Sequence, residues 1–330
     1  MKASYCTKYG GPEVYQLVDI ETPKPGHREI LIKVYRAVVS PTDGNFRSGK
    51  PWMARLFSGL IKPRMKIHGE MFVGKVVEIG ADVTDYQIND LVYGSNGMKL
   101  GAYAEYMIVH IDIALKKVPT DLHYKDVLPL LDGGITALPF LKELGKLKPD
   151  DHVLINGASG AVGSMAVMIA KHFKAHVTGV CSTNNVDIVS SLGADTVIDY
   201  KKEDITHKAD HYDIIFDTVG KLSYGQCKKV LNGKGIFITT VPTPGIMLQA
   251  LLRKNATHKR ASFMAAGLRK TQTKIQDLLY LENLLRQGEL KPLHGKVFKL
   301  EELGLAQTYV ETGHKVGNVT IQMINDKEIS

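Results

Sequence analysis

Three glycines spaced three apart, Gly157-x-x-Gly160-x-x-Gly163, follow the apolar run Val153-Leu-Ile-Asn156. Beyond them Val162, Ala166, Ile169, Ala170 and Phe173 recur at the spacing of one helical face. A strand that turns through glycines into a helix brings bare backbone N–H groups to the helix N-terminus, where a phosphate is favoured. The chemistry implied is capture of a dinucleotide pyrophosphate. The next apolar run ends in Val180-Cys-Ser-Thr-Asn-Asn185. An NAD enzyme usually carries an Asp or Glu there for the ribose hydroxyls. Here Ser182 and Thr183 leave room for a 2′-phosphate, and Asp187 falls to the following helix, so the sequence favours NADPH over NADH.

These groups need a parallel sheet to position them. After Asp126, apolar runs alternate with helical periodicity, as in βαβ units. The strands expected are His152–Asn156, 175–181, Thr196–Asp199, Tyr212–Asp217 and 235–241. The first part of the chain instead reads as short β-branched runs, residues 30–39 and 73–79 among them, with Gly-Pro, Pro-Gly and Asn-Gly pairs between. Strand character returns at 296–300 and 317–323. Two domains are therefore expected: a β-barrel-like one from residues 1–125 and 290–330, and a doubly wound α/β one from 126–289.

At 330 residues, 44% hydrophobic and 23% charged, the chain has an ordinary globular composition. Its apolar passages are all cut short of a membrane span. No membrane partner is expected, and the absence of a leader-like N-terminus predicts a cytoplasmic protein. Cys6, Cys181 and Cys227 are too scattered for a disulfide framework or zinc cluster and are expected to be reduced and partly buried. The net charge of +8 is uneven, since residues 218–276 hold eleven Lys or Arg and no Asp or Glu. The basic residues come as pairs without interleaved aromatic positions, so cofactor attraction or solvated faces are the reading, and a nucleic-acid partner is not expected.

The chain resembles, along essentially its whole length, the zinc-free quinone oxidoreductase-like branch of the medium-chain dehydrogenase/reductase superfamily. The matching passages include Tyr9-Gly-Gly-Pro-Glu-Val14, Val39-Ser-Pro-Thr-Asp43, Gly69-Glu-Met-Phe-Val-Gly74, Gly101-Ala-Tyr-Ala-Glu-Tyr106, Gly134-Ile-Thr-Ala137, Asn156 to Gly163, Ser191-Leu-Gly-Ala-Asp195, Phe216-Asp-Thr-Val-Gly220 and Gly313-His-Lys-Val-Gly317. The resemblance implies a GroES-like barrel with an inserted Rossmann domain and a nicotinamide in the cleft. It places Thr136, Ser159, Gly160, Ala161 and Val162 at the pyrophosphate and Ser182, Thr183 and Tyr200 at the adenosine phosphate. Thr218, Val219, Thr240 and Val241 fall at the nicotinamide side. Asn318 stands where the family often has a Lys or Arg reaching the cofactor. A homodimer is a further family expectation.

Where zinc-dependent relatives have a Cys, a His and a second Cys, this chain aligns Ser40, Glu70 and Gly133 or Gly134, and the four-cysteine lobe is missing from residues 93–101. No metal site is expected. Without a Lewis acid the fitting substrates are already electrophilic: quinones, or alkenes conjugated to a carbonyl. Thr42, Asp43 and Asn45 are the cleft-loop candidates for catalysis, although the Lys or Tyr of some enone reductases is absent near Asn45 and Phe46. Residues 50–65 hold the only Trp, with Trp52, Met53, Leu56, Phe57, Leu60 and Ile61 near helical spacing; a helix over the cleft or packing on the barrel would both explain them. Two alternatives remain: an NAD(P)-dependent alcohol dehydrogenase, and a non-catalytic NADPH- or RNA-binding member of the superfamily.

Overall fold

The computed structural model describes residues 1–50, 52, 55–205, 212–252 and 258–324. Two compact units emerge, one of Met1–Asp132, Thr271–Gln276 and His294–Ser330, the other of Gly133–Lys270 and Asp277–Leu293.

The first unit opens with an antiparallel pair, β1 (Lys2–Cys6) and β2 (Tyr15–Asp19). It continues through β3 (Glu29–Val38), α1 (Pro41–Ser48), α2 (Arg55–Ser58), β4 (Met71–Ile79), β5 (Leu91–Ser95), β6 (Tyr106–His110), β7 (Ala114–Lys117) and α3 (Tyr124–Pro129). β3 organises it. One edge of β3 pairs with β4, while on the other its first half pairs with β6 and its last residues with a strand from the far end of the chain. Both faces of this strand are also largely buried, which is why residues 30–38 are almost all apolar. Ile30, Ile32, Val34, Phe72, Val76, Val92 and Tyr103 form the core with Leu303, Ala306 and Ile321.

Pro129 and Pro139 lack the N–H that would continue an α ladder, and each is followed at once by a π-type stretch, Leu130–Gly134 and Phe140–Gly145, around α4 (Ile135–Pro139). The second unit then alternates β8 (His152–Asn156), α5 (Ala161–His172), β9 (His176–Cys181), α6 (Val186–Ser191), β10 (Thr196–Asp199), β11 (Tyr212–Asp217), α7 (Tyr224–Val230), β12 (Leu231–Thr239), α8 (Pro244–Leu252) and β13 (Arg260–Phe263). All six strands run parallel in the order β10-β9-β8-β11-β12-β13. That order reverses between β8 and β11, and doubly wound sheets take their ligands at such a reversal, beyond the carboxyl ends of the strands.

After α9 (Thr271–Arg286) the chain supplies β14 (His294–Lys299), α10 (Leu303–Glu311) and β15 (Asn318–Gln322), and β15 closes on β3. Among the described residues no helix is long and apolar enough to cross a membrane. The three cysteines are free and buried, and burial pushes their thiols up to about 11 for Cys6 and Cys181 and about 12 for Cys227. The basic run of residues 218–276 is partly spent internally: Arg269 pairs with Glu143 and Asp277, and the Lys259 Nζ donates to the Lys228 carbonyl at 2.9 Å. Its Arg253-Lys254 pair lies outside the described residues.

Candidate cofactor site

β8 ends at Asn156 and the chain turns at Gly157, whose φ of +80° suits a residue without a side chain. A Cβ on Gly157 would also stand 2.4 Å from Val219 Cγ2. Gly163 packs its backbone on the turn itself, 2.1 Å separating a built Cβ from the Gly157 carbonyl oxygen. Gly160 differs. Its φ is ordinary and its Cβ would meet only the Gly157 oxygen, at 3.3 Å, so its lack of a side chain leaves space rather than relieving strain.

Gly160 is the N-cap of α5, no side chain caps the helix, and its first turn has no acidic residue. The N–H groups of Ala161, Val162 and Gly163 therefore lack intrahelical acceptors and sit at the positive end of the helix dipole. Residues 163–170 are buried without a break, so this helix is enclosed nearly all round instead of on the single face that periodicity indicated. Part of that cover is the stretch before β8, where a Cβ on Gly133 would lie 2.2 Å from the Ala161 carbonyl oxygen. Thr136, half-buried, belongs to the helix after it, which packs on α5. Gly133 and Gly134 thus serve close packing: Cβ atoms there would meet the Ala161 carbonyl oxygen and the Leu281 side chain.

The adenosine side is built at the ends of β9 and β10. Asn185 Nδ2 donates to the Ser159 hydroxyl at 3.0 Å and to the Ser182 hydroxyl at 3.2 Å, tying the glycine turn to the second strand. Thr183 donates its hydroxyl to Asp199 Oδ2 at 2.7 Å. Asp199 and the lysine beside it, Lys202 at 3.5 Å, are features that reading strand by strand missed, because register brings Asp199 opposite Cys181. The Thr183 hydrogen is thus engaged, leaving Ser182 as the hydroxyl donor of the pair. Tyr200 is exposed next to them.

On the other side of the reversal, fully buried Asp217 ends β11. Its carboxylate accepts from Asn156 Nδ2 at 2.9 Å and from the backbone N–H of Val219, Gly220 and Leu222 at 3.0–3.1 Å. Thr218 Oγ1 donates to the Asn156 carbonyl at 2.7 Å, and Thr240 Oγ1 to the Thr218 carbonyl at 3.2 Å. One carboxylate thereby sets the path of residues 218–222 beside the glycine turn. Val241, half-exposed, covers Gly220, whose φ is +78°.

The remaining predicted residues belong to the first unit. Thr42 and Asn45 are exposed on α1, whereas Asp43 is buried and accepts both the backbone N–H and the hydroxyl of Ser40 at 2.8 Å, closing the N-terminus of the helix. Burial raises the Asp43 carboxyl to about 6, against the opposing Ser40 bonds. Asn318 is buried with its Nδ2 donating to Asp132 at 2.9 Å, and Lys315 lies 3.7 Å from the same carboxylate. Glu70, one of the positions aligned with a zinc ligand, accepts from the Ser95 hydroxyl, and His68, two residues before it, is buried with Nδ1 on the Tyr15 hydroxyl at 3.0 Å. Among the described residues no group of three His, Cys, Asp or Glu side chains is arranged to hold a metal ion.

Residues 26–120 match the alcohol dehydrogenase GroES-like domain family, and residues 192–321 a zinc-binding dehydrogenase family. A chloroplastic quinone-oxidoreductase of Triphysaria versicolor is 30% identical over 335 residues, covering 98% of each chain. A chloroplastic NADPH-dependent alkenal/one oxidoreductase of Arabidopsis thaliana is also 30% identical, over 98% of this chain and 80% of its own. Among solved structures, the quinone oxidoreductase from Coxiella burnetii superposes with a TM-score of 0.86 at 29% identity, covering 98% of this chain and 99% of that one. The Escherichia coli quinone oxidoreductase complexed with NADPH shares the fold, with a TM-score of 0.83 at 20% identity over 98% of this chain and all of its own.

Proposed function

Because the chain belongs to the quinone oxidoreductase branch of the medium-chain dehydrogenase/reductase superfamily, we propose that it is an NADPH-dependent reductase of quinones or α,β-unsaturated carbonyl compounds. The observation that carries the reading is the uncapped, acid-free head of α5, where a Cβ on Gly160 would enter otherwise open space of the kind a pyrophosphate needs.

When bound there, NADPH supplies hydride to an electron-poor carbon. The N–H groups of residues 161–163 hold the pyrophosphate, and Ser182, Lys202 and Tyr200 meet the adenosine phosphate. The loop fixed by Asp217 presents Thr218 and Val219, with Thr240 and Val241 behind it, to the nicotinamide. Thr42 and Asn45 are exposed donors suited to a carbonyl oxygen that gains negative charge, and the proton comes from solvent. Asp43, bonded twice to Ser40, braces α1. No residue is assigned to metal: His68 and Glu70 have other partners, and a zinc ion needs three suitable ligands around an open position.

The test is oxidation of NADPH and NADH by chelator-treated protein against ortho- and para-quinones and short and long enones. Turnover with NADPH, unchanged by EDTA, is expected on at least one class. Tight NADPH binding without turnover on any of them would overturn the reductase reading, and turnover restored only by added zinc would favour the alcohol dehydrogenase alternative.

A further inference from the structure

From Gly44 to Gly69 the chain has no Asp or Glu but six basic residues, Arg47, Lys50, Arg55, Lys62, Arg64 and Lys66. Arg47 is buried against Glu311, and the Arg55 guanidinium lies over the Tyr9 ring at 4.6 Å. Lys50, Lys62, Arg64 and Lys66 are exposed. Five large apolar side chains of the same stretch also face outward, Trp52 at 70% exposure, Leu56 at 53%, Leu60 at 64%, Ile61 at 91% and Met65 at 40%. Single exposed hydrophobics need no explanation; a run of them does.

Leu60 and Ile61 are held out by a well-bonded turn. Gly59 N donates to the Arg55 carbonyl at 2.8 Å and Arg64 N to the Ser58 carbonyl at 2.7 Å, closing the turn that carries Leu60 and Ile61. A φ of +121° at Gly59 permits it. The Tyr9 hydroxyl clamps Ser58 and the Gly59 carbonyl from one side, and Cys6 N holds the Lys66 carbonyl at 2.7 Å on the other.

We propose that residues 55–66, together with Trp52, seat the protein on an anionic lipid surface. Trp, Leu, Ile and Met side chains gain by entering the boundary between headgroups and acyl chains, while lysines and arginines around them meet acidic headgroups. Charge complementarity argues for this occupant, because the stretch has no acid to offset its cations. A nucleic acid fits less well, since bases stack on aromatic faces and the exposed apolar groups here are mostly aliphatic. The expectation of no membrane partner rested on the lack of a spanning segment, which does not bear on a peripheral contact.

Trp52 is the only tryptophan, so its fluorescence reports this stretch alone. The full chain is titrated with vesicles of phosphatidylcholine, or of phosphatidylcholine and phosphatidylserine in equal parts, and co-sedimentation is measured in parallel. A blue shift and pelleting are expected with the mixed vesicles at low salt. The Leu60→Ser/Ile61→Ser variant should partition at least about tenfold more weakly, and Lys62→Glu/Arg64→Glu should lose the preference for phosphatidylserine. Thermal melting checks that both variants fold. Neither shift nor pelleting at low salt, or unchanged partition of both variants, would overturn the proposal. So would a shift caused by RNA or by NADPH with a quinone but not by vesicles. The readout is binding, so it stands apart from the outcome of the turnover assay.

Discussion

Gly160 and Gly163 are identical residues with opposite consequences. At Gly163 a methyl meets backbone, so substitution disturbs the fold; at Gly160 it meets one oxygen at 3.3 Å and otherwise the space before the helix. Gly160→Ala should therefore shift the melting temperature little yet weaken NADPH binding at least about tenfold, the loss expected when a bulky group displaces a phosphate from its N–H donors. Retained affinity in a direct titration would remove the pyrophosphate from that turn. Asp43 and His68 make a second pair of opposites. Burial lowers His68 from 6.5 to about 4, so its stabilising neutrality is present above pH 6.5 and lost as pH falls through 4. Burial raises Asp43 to about 6, so its contribution is full below pH 3.8 and lost as pH rises through 6. The two nearly cancel over the same window. Asp43→Asn keeps an oxygen for Ser40 and should unmask His68, with stability falling on acidification from pH 6.5 to 4 by up to about 3 kcal/mol; a flat profile in equilibrium unfolding would contradict this.

Among the elements, those whose signal is local were legible in the sequence. The strand His152–Asn156, the glycine turn and the helix after it follow from periodicity and glycine spacing alone, as do the three parallel strands that end at Cys181, Asp199 and Asp217. What depends on chain return was not legible. Asp217 reads as an ordinary strand-end acid, and only the parallel pairing of β8 with β11 brings Asn156 to it. Likewise Asp199 reaches Thr183 through the register of β9 and β10. At residues 50–65 helical spacing is realised as α-helix only over Arg55–Ser58 among the described residues: Gly59 and Pro63 interrupt the periodicity, while Pro51, Met53 and Ala54 lie outside them. Asp217→Ala leaves the buried Asn156 amide and three half-buried N–H groups without their acceptor. A loss of about 3 kcal/mol or more in denaturant unfolding is expected, with weaker NADPH binding in whatever remains folded; a change within about 0.5 kcal/mol would show that the loop holds its path unaided.

For the whole molecule, the composition and the βαβ alternation indicated two domains, and the compact units place α3 with the first of them, so that the chain passes over at Asp132 and Gly133. Tyr124 explains this, since its ring meets Tyr35 of β3 edge-on at 6.3 Å. The pairing of β15 with β3 has a consequence for how the protein is made. Every residue of the parallel-sheet unit has been synthesised by Leu293, whereas β3, synthesised among the first forty residues, waits for Asn318–Gln322 before that edge is covered. Contacts so distant along the chain form late. Released chains truncated just before Asn318 should therefore carry a protease-resistant sheet unit beside a digestible barrel, and equal resistance of both would mean that β3 folds without its last partner. Until release, the growing barrel exposes an apolar strand edge of the kind that chaperones bind, and the rate of finishing translation sets how long it does so.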